Sequence, residues 1–405
     1  MTTTIGPTGP AGSTLPPRLI DGLRWDGERD RLMVCDPRLA ALVLKDPHIA
    51  TGIDHGRAGT PVRAAAPGTT PSVVEFFAMW YTVTDDYARF NTELRKAFTT
   101  RAVEAFDGAF ADLAARHAAT MPAAGDLTAE FLSPYFLNST FTLIGVPEPA
   151  WPNLTKVSRL VIHLFKQELL GVSEHSPEQL RAFATVMRYL ESLAGELLAG
   201  DGDTPFLAAA RRLCPDAGPG TNTWPIAALV GQLLLAGIEP MIVAAASAIR
   251  SLWADPDLLV SLRRAADGAA VDAGRIGDIA EEVLRQHPPF AHIFRFVTEP
   301  CTCLGTRLDA GTVVAIDIAA VNLALAPAHR VGGGCPVGPS AVLTFGKGLH
   351  FCLGANSARR QVAAALRQLV SPELGLRIDP DAVRIRTQNN LSEVLALPYS
   401  TGGDQ

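Results

Sequence analysis

Cysteine is scarce in this sequence. Six occur in 405 residues, at 35, 214, 301, 303, 335 and 352, and none forms a CxxC pair. That spacing excludes a disulfide framework and suits a reducing compartment. Runs of Lys and Arg are absent too: 35 basic residues face 41 acidic ones for a net charge of -6. This argues against nucleic acid or an anionic membrane surface as the main partner and leaves a small molecule. No repeat of 20 to 50 residues is visible, which excludes a solenoid or propeller. The opening MTTTIGPTGPAGSTLPPRL lacks a basic segment followed by an apolar one. The sequence therefore predicts no signal peptide, a flexible arm over residues 1–17 and a cytoplasmic protein.

The most apolar stretch, LVGQLLLAGIEPMIVAAASAI over 229–249, has membrane-spanning length but carries Glu239 and Pro240 at its centre. It reads as one long buried helix rather than a membrane span. Between about residues 85 and 290 the apolar spacing is mostly helical, with Gly, Pro and Asp-Gly breaks. Short β-like runs sit at RLMVCD, HIFRFVTEP, GTVVAIDIAA and EVLALPYS. The expected fold is mainly α with small β-sheets, in a single domain over 18–405.

One cysteine stands in special surroundings. FGKGLHFCLG, residues 345–354, places Cys352 in a glycine-punctuated loop, and ANSARRQVAAALRQL after it reads as an amphipathic helix. A metal-binding thiolate is kept ionised by backbone N–H groups aimed at its sulfur and by the positive end of a following helix. Gly346, Gly348 and Gly354 offer the freedom for such a turn. The alternative for Cys352 is a small buried hydrophobe, the reading adopted for the other five cysteines.

Phe345-x-x-Gly348-x-His350-x-Cys352-x-Gly354 resembles the heme-thiolate loop of the cytochrome P450 superfamily in its bacterial soluble form. Two further segments stand in the expected order before it. Glu282-Val283-Leu284-Arg285 is similar to the family's ExxR helix, and Ala236-Gly237-Ile238-Glu239 to the oxygen-binding segment of its long central distal helix. The resemblance runs from about residue 18 to the end. It implies a P450 fold with the Cys-ligand loop on the proximal side, heme b as cofactor, Cys352 as the iron ligand, and Glu282 with Arg285 as a buried structural pair. It also implies contacts to the cofactor from Phe345, Gly346, Gly354 and Ala236, with His350 and Arg295 serving the heme propionates. On the helix near 85–98 the family offers a His and an Arg to a propionate; Tyr87 and Asn91 stand there instead. Tyr87 and Arg89 are taken as the partners, with Arg95 as another source of charge if the helix is rotated.

The larger departure is in AGIEPM. The family's acid is retained as Glu239, but Pro240 replaces the alcohol beside it. Proline has no hydroxyl and no N–H, so it removes a proton donor and deprives the Ala236 carbonyl of its helical partner, kinking the helix. Gly237, Glu239 and Pro240 are the catalytic candidates. A reductase-fed monooxygenase with protons from substrate or water, and an oxygen-independent peroxygenase, isomerase or nitrene-transfer enzyme, both stay open. A heme-free binding protein is the alternative from another class.

Family placement puts Phe76, Phe77, Trp80, Ile238, Met241, Phe290 and Ile293 around the substrate. Their apolar character favours a neutral or aromatic small molecule. Analogy with bacterial relatives points to natural-product tailoring. Ferredoxin and its reductase are the implied partners for oxygen-dependent chemistry, with Arg95, Lys96, Lys347, Arg359 and Arg360 as the docking cations.

Overall fold

The computed structural model of the chain describes residues 21–50, 85–169, 176–215, 223–265, 273–303, 305–326, 341–388 and 390–402. The arm expected over 1–17, Phe76, Phe77, Trp80 and the side chain of Tyr87 lie outside the described residues.

Helices begin where the sequence offers caps. Ser176 Oγ accepts the Gln179 N–H at 3.1 Å and Gln179 Oε1 accepts the Ser176 N–H at 2.8 Å, a reciprocal box that opens Pro177–Ala199. Phe183, Met187, Leu190, Ala194 and Leu197 recur at helical spacing on its buried face. That face packs against Trp224–Ala236, which also touches Trp151–Leu169. Ala355–Val370, the helix after the cysteine loop, packs on Asp107–Ala119 and on Ala273–Gln286. Tyr135, fully buried in this bundle, donates its hydroxyl to the Gln361 carbonyl at 2.9 Å.

The central apolar stretch is not one helix. It forms Trp224–Ala236 and Glu239–Trp253, with a break at Gly237 and Ile238. The cause is local. The Gly237 N–H still reaches the Leu233 carbonyl at 2.9 Å and the Ile242 N–H the Ile238 carbonyl at 3.0 Å. Pro240 has no N–H to continue the ladder between them, and it sits in the first turn of the second helix, where that N–H has no intrahelical partner anyway. Trp224–Trp253 is long and apolar enough to cross a membrane, but 67% of its most apolar window is buried inside the protein. That burial is what a core helix pair requires.

Strands build a smaller second core. Leu23–Asp26, Arg31–Val34, Val313–Asp317, His292–Val297 and Ile49–Ala50 lie side by side in that order. Arg31–Val34 runs parallel to Val313–Asp317; the other neighbours are antiparallel. Leu32, Val34, Val314, Ile316 and Val297 fill its apolar face. Arg384–Gln388 and Leu391–Ala396 form a separate hairpin, and Pro398–Ser400 pairs with Ala124–Asp126.

Gly237 has no room for a side chain, since a Cβ there would stand 2.5 Å from the Leu233 carbonyl oxygen. Gly237→Ala is expected to cost about 1–3 kcal/mol through overpacking. A clear fall in thermal midpoint checks this; an unchanged midpoint would show that the break has slack.

Candidate active site

Two left-handed glycines shape the cysteine loop: Gly346 at φ 71° and Gly348 at φ 77°. A side chain at either position would strain the backbone. The Phe345 carbonyl accepts the Cys352 N–H at 2.8 Å and closes the turn. Gly354 departs from the sequence expectation, because its φ of -84° is open to any residue. What Gly354 contributes is its N–H, which favours the ionised sulfur of Cys352.

Cys352 lies deep in the protein's mass, yet its side chain keeps an open surface. Burial pushes its thiol up, while the Gly354 N–H and the Arg359 and Arg95 guanidiniums pull the other way. A sulfur with an accessible face, a backbone donor and two cations nearby has the chemistry of a metal-binding thiolate. The buried-hydrophobe alternative does not account for that open face.

The loop is braced from behind. Glu282 and Arg285 are both sealed from solvent, and their side chains meet through two bonds, Nε at 2.9 Å and an Nη at 2.7 Å. The other Nη of Arg285 donates to the carbonyls of Asn322 at 2.9 Å and Ala326 at 2.7 Å. Asn322 in turn accepts the Leu343 N–H at 2.7 Å and donates to Thr344 Oγ1 at 3.1 Å, directly before Phe345. Sequence reasoning missed Asn322. The available signal was one amide in the apolar run IAAVNLAL.

Cations gather near the thiol. Arg295 is 8% exposed, and among the described residues its hydrogen-bond partner is the Phe294 carbonyl at 2.8 Å. Burial pulls its pKa down to about 10. His350 is pulled down to about 4, first by burial and then by the charges of Arg295 and Arg95. A buried guanidinium held by one neutral acceptor fits an anionic group, as the two propionates of heme require. On Asp85–Ala97 the cation that reaches this cluster is Arg95. Arg89, the residue expected there, is exposed, lies 5.2 Å over the Phe90 ring and acts on Cys214 instead.

Glu239 and Ile238 line a cleft of about 730 Å³ with Asn138, Thr155, Ser158 and Arg159. The other apolar candidates are placed elsewhere. Met241 is buried in the helical core, while Phe290 and Ile293 pack on the strand core. Phe290 also bridges to Leu391, and the turn residue Asn390 accepts the Ala291 N–H at 2.8 Å and the His292 N–H at 2.7 Å. The expected docking cations are largely engaged within the chain: Lys96 with Glu93, Arg359 with Glu281, and Arg360 with Glu104 and Asp107.

Arg285→Ala would leave the Glu282 carboxylate buried without its partner, at a cost of about 3–5 kcal/mol. Loss of soluble folded protein, or a steep fall in denaturation midpoint, is the expected result. A variant as stable as the native chain would remove the brace from the account of the loop.

No protein-family model matches the chain. Among curated proteins it is 28% identical to the cytochrome P450 monooxygenase PikC of Streptomyces venezuelae over 360 residues, 84% of this chain and 78% of PikC. Over a shorter stretch of 129 residues, 30% of this chain and 31% of the relative, it is 35% identical to the erythromycin C-12 hydroxylase of Saccharopolyspora erythraea. The fold is also that of the tirandamycin C-bound P450 monooxygenase TamI, with a TM-score of 0.70 at 22% identity over 92% of this chain and 90% of that one. Near-full-length likeness to such proteins and a shared fold agree with the cysteine loop and support the bacterial cytochrome P450 superfamily, heme-dependent oxidoreductases.

Proposed function

We propose that this protein is a natural-product tailoring monooxygenase, a single heme-thiolate domain over 18–405 acting on a small, largely apolar or aromatic substrate. Relatives support the substrate class: one is named an erythromycin hydroxylase and another was solved with tirandamycin C. Cys352 is the residue that would hold the iron, with Arg295, His350 and Arg95 toward the propionates. When bound, heme with a cysteine ligand supplies the activation of dioxygen and the transfer of one oxygen atom. Electrons come from a ferredoxin and its reductase.

The observation that carries this reading is the place of Glu239. Glu239 lines the cleft of about 730 Å³, at the start of the second central helix and beside the break. Asn138, Thr155, Ser158 and Arg159 give that cleft hydrogen-bonding walls on which water can be held. Glu239 takes protons from this water and passes them inward, a general-acid role suited to a carboxyl in reach of solvent. The proton supply thus does not depend on the hydroxyl that Pro240 lacks.

Pro240 favours a second reading. Without that hydroxyl the wall is poorer in donors, which suits a reaction whose oxidising N–O or O–O bond arrives in the substrate or in peroxide. Turnover measured with and without NAD(P)H, ferredoxin, reductase and dioxygen separates the two. Strict dependence on all four supports the monooxygenase, and turnover on peroxide or substrate alone supports the other. For the monooxygenase, Glu239→Gln is expected to slow coupled turnover about 10²-fold or more, and Pro240→Thr to raise the fraction of NAD(P)H that ends in product. Cys352→Ala is expected to abolish the thiolate-type Soret band of the reduced carbonyl complex. Persistence of that band would assign the ligand elsewhere.

A further inference from the structure

The side chain of Arg359 lies against the back of the cysteine loop. Its Nε donates to Glu281 at 2.6 Å and an Nη at 2.9 Å, a fork-to-fork pair with side chains 25% and 11% exposed. The guanidinium carbon also stands 4.3 Å from the centroid of the Phe345 ring. Phe345 is the residue whose carbonyl accepts the Cys352 N–H. Glu281 directly precedes Glu282 of the sealed ion pair. One planar cation therefore joins the ion-pair helix, the aromatic ring of the loop and the electrostatic surroundings of the sulfur.

We propose that Arg359 is a positioning residue for the thiolate: clamped by Glu281 and stacked on Phe345, it fixes the loop and places a lasting positive charge behind Cys352. This departs from the docking role expected from the sequence, because a guanidinium engaged on its edge by a carboxylate and on its face by a ring has little left to offer an acidic partner. Arg360, one residue on, pairs with Glu104 and Asp107 and serves as an internal comparison. The inference rests on the assignment of Cys352 as the iron ligand.

Its consequence is electrostatic. Reduction adds an electron, and a cation nearby stabilises the more negative state. Arg359→Gln is expected to shift the heme reduction potential to more negative values and to speed loss of the thiolate-type Soret band several-fold. Arg359→Lys, which keeps the charge but loses the fork and the stacking, should return the potential toward native while the band stays labile. Arg360→Gln should leave both unchanged. All measurements use the purified holoprotein with a chemical reductant, so that no partner protein is involved. If Arg359→Gln keeps the native potential and band stability, the proposal is wrong. If the native protein itself lacks the thiolate-type band, the assignment of Cys352 fails first and this proposal falls with it.

Discussion

A guanidinium sealed from water at Arg285 is the contact on which the rest of this architecture leans. A charge in that position is tolerable only when nearly every donor is occupied. Arg285 meets the requirement by holding Glu282 on its own helix and the carbonyls of Asn322 and Ala326 on another. Asn322 then passes the constraint to Leu343 and Thr344, so the entrance of the cysteine loop is tied to the pair by a chain of hydrogen bonds. The pair touches no reacting group. Its work is to give a loop, ordinarily the least determined part of a fold, the fixity of a helix core.

Charge is distributed with the same economy. The chain is acidic as a whole, yet the cations Arg295 and Arg95 converge near the thiol, on a His350 imidazole that burial and these two charges keep neutral. Burying cations in an acidic protein costs solvation that only a bound anion repays. The exposed cations show the reverse, since Lys96 and Arg360 are matched by carboxylates of the chain itself. Positive charge is left for the interior and largely neutralised outside.

Much of this was legible in the sequence because it is written in local chemistry. The loop, the Glu-x-x-Arg pair and the short strands depend on residues close in the chain, and the strand runs at 31–34, 292–297 and 313–317 stand where alternation and β-branching put them. Other features depend on partners far away. That Arg95 rather than Arg89 reaches the thiol is decided by the rotation of one helix, which a six-residue separation in the sequence does not resolve. That Arg359 is clamped depends on Glu281, 78 residues earlier. The central helix pair lies between these cases: Pro240 announces a disturbance, but that the break also leaves no room for a side chain at Gly237 is seen only in the folded chain.

The parallel pairing of Arg31–Val34 with Val313–Asp317 has a bearing on how the chain folds. Its partners are separated by roughly 280 residues, so closing that pair demands one of the largest loops the chain can form. During synthesis at about 5–20 residues per second, the N-terminal hairpin waits on the order of 15–60 s for its neighbour to be made. Throughout that interval Leu32, Met33 and Val34, fully buried in the finished sheet, have no sheet to enter. Part of the helical core can assemble meanwhile from contacts nearer in sequence, but Ala355–Val370 and Pro398–Ser400, which pack on segments made far earlier, are synthesised after the strand core already has all its strands.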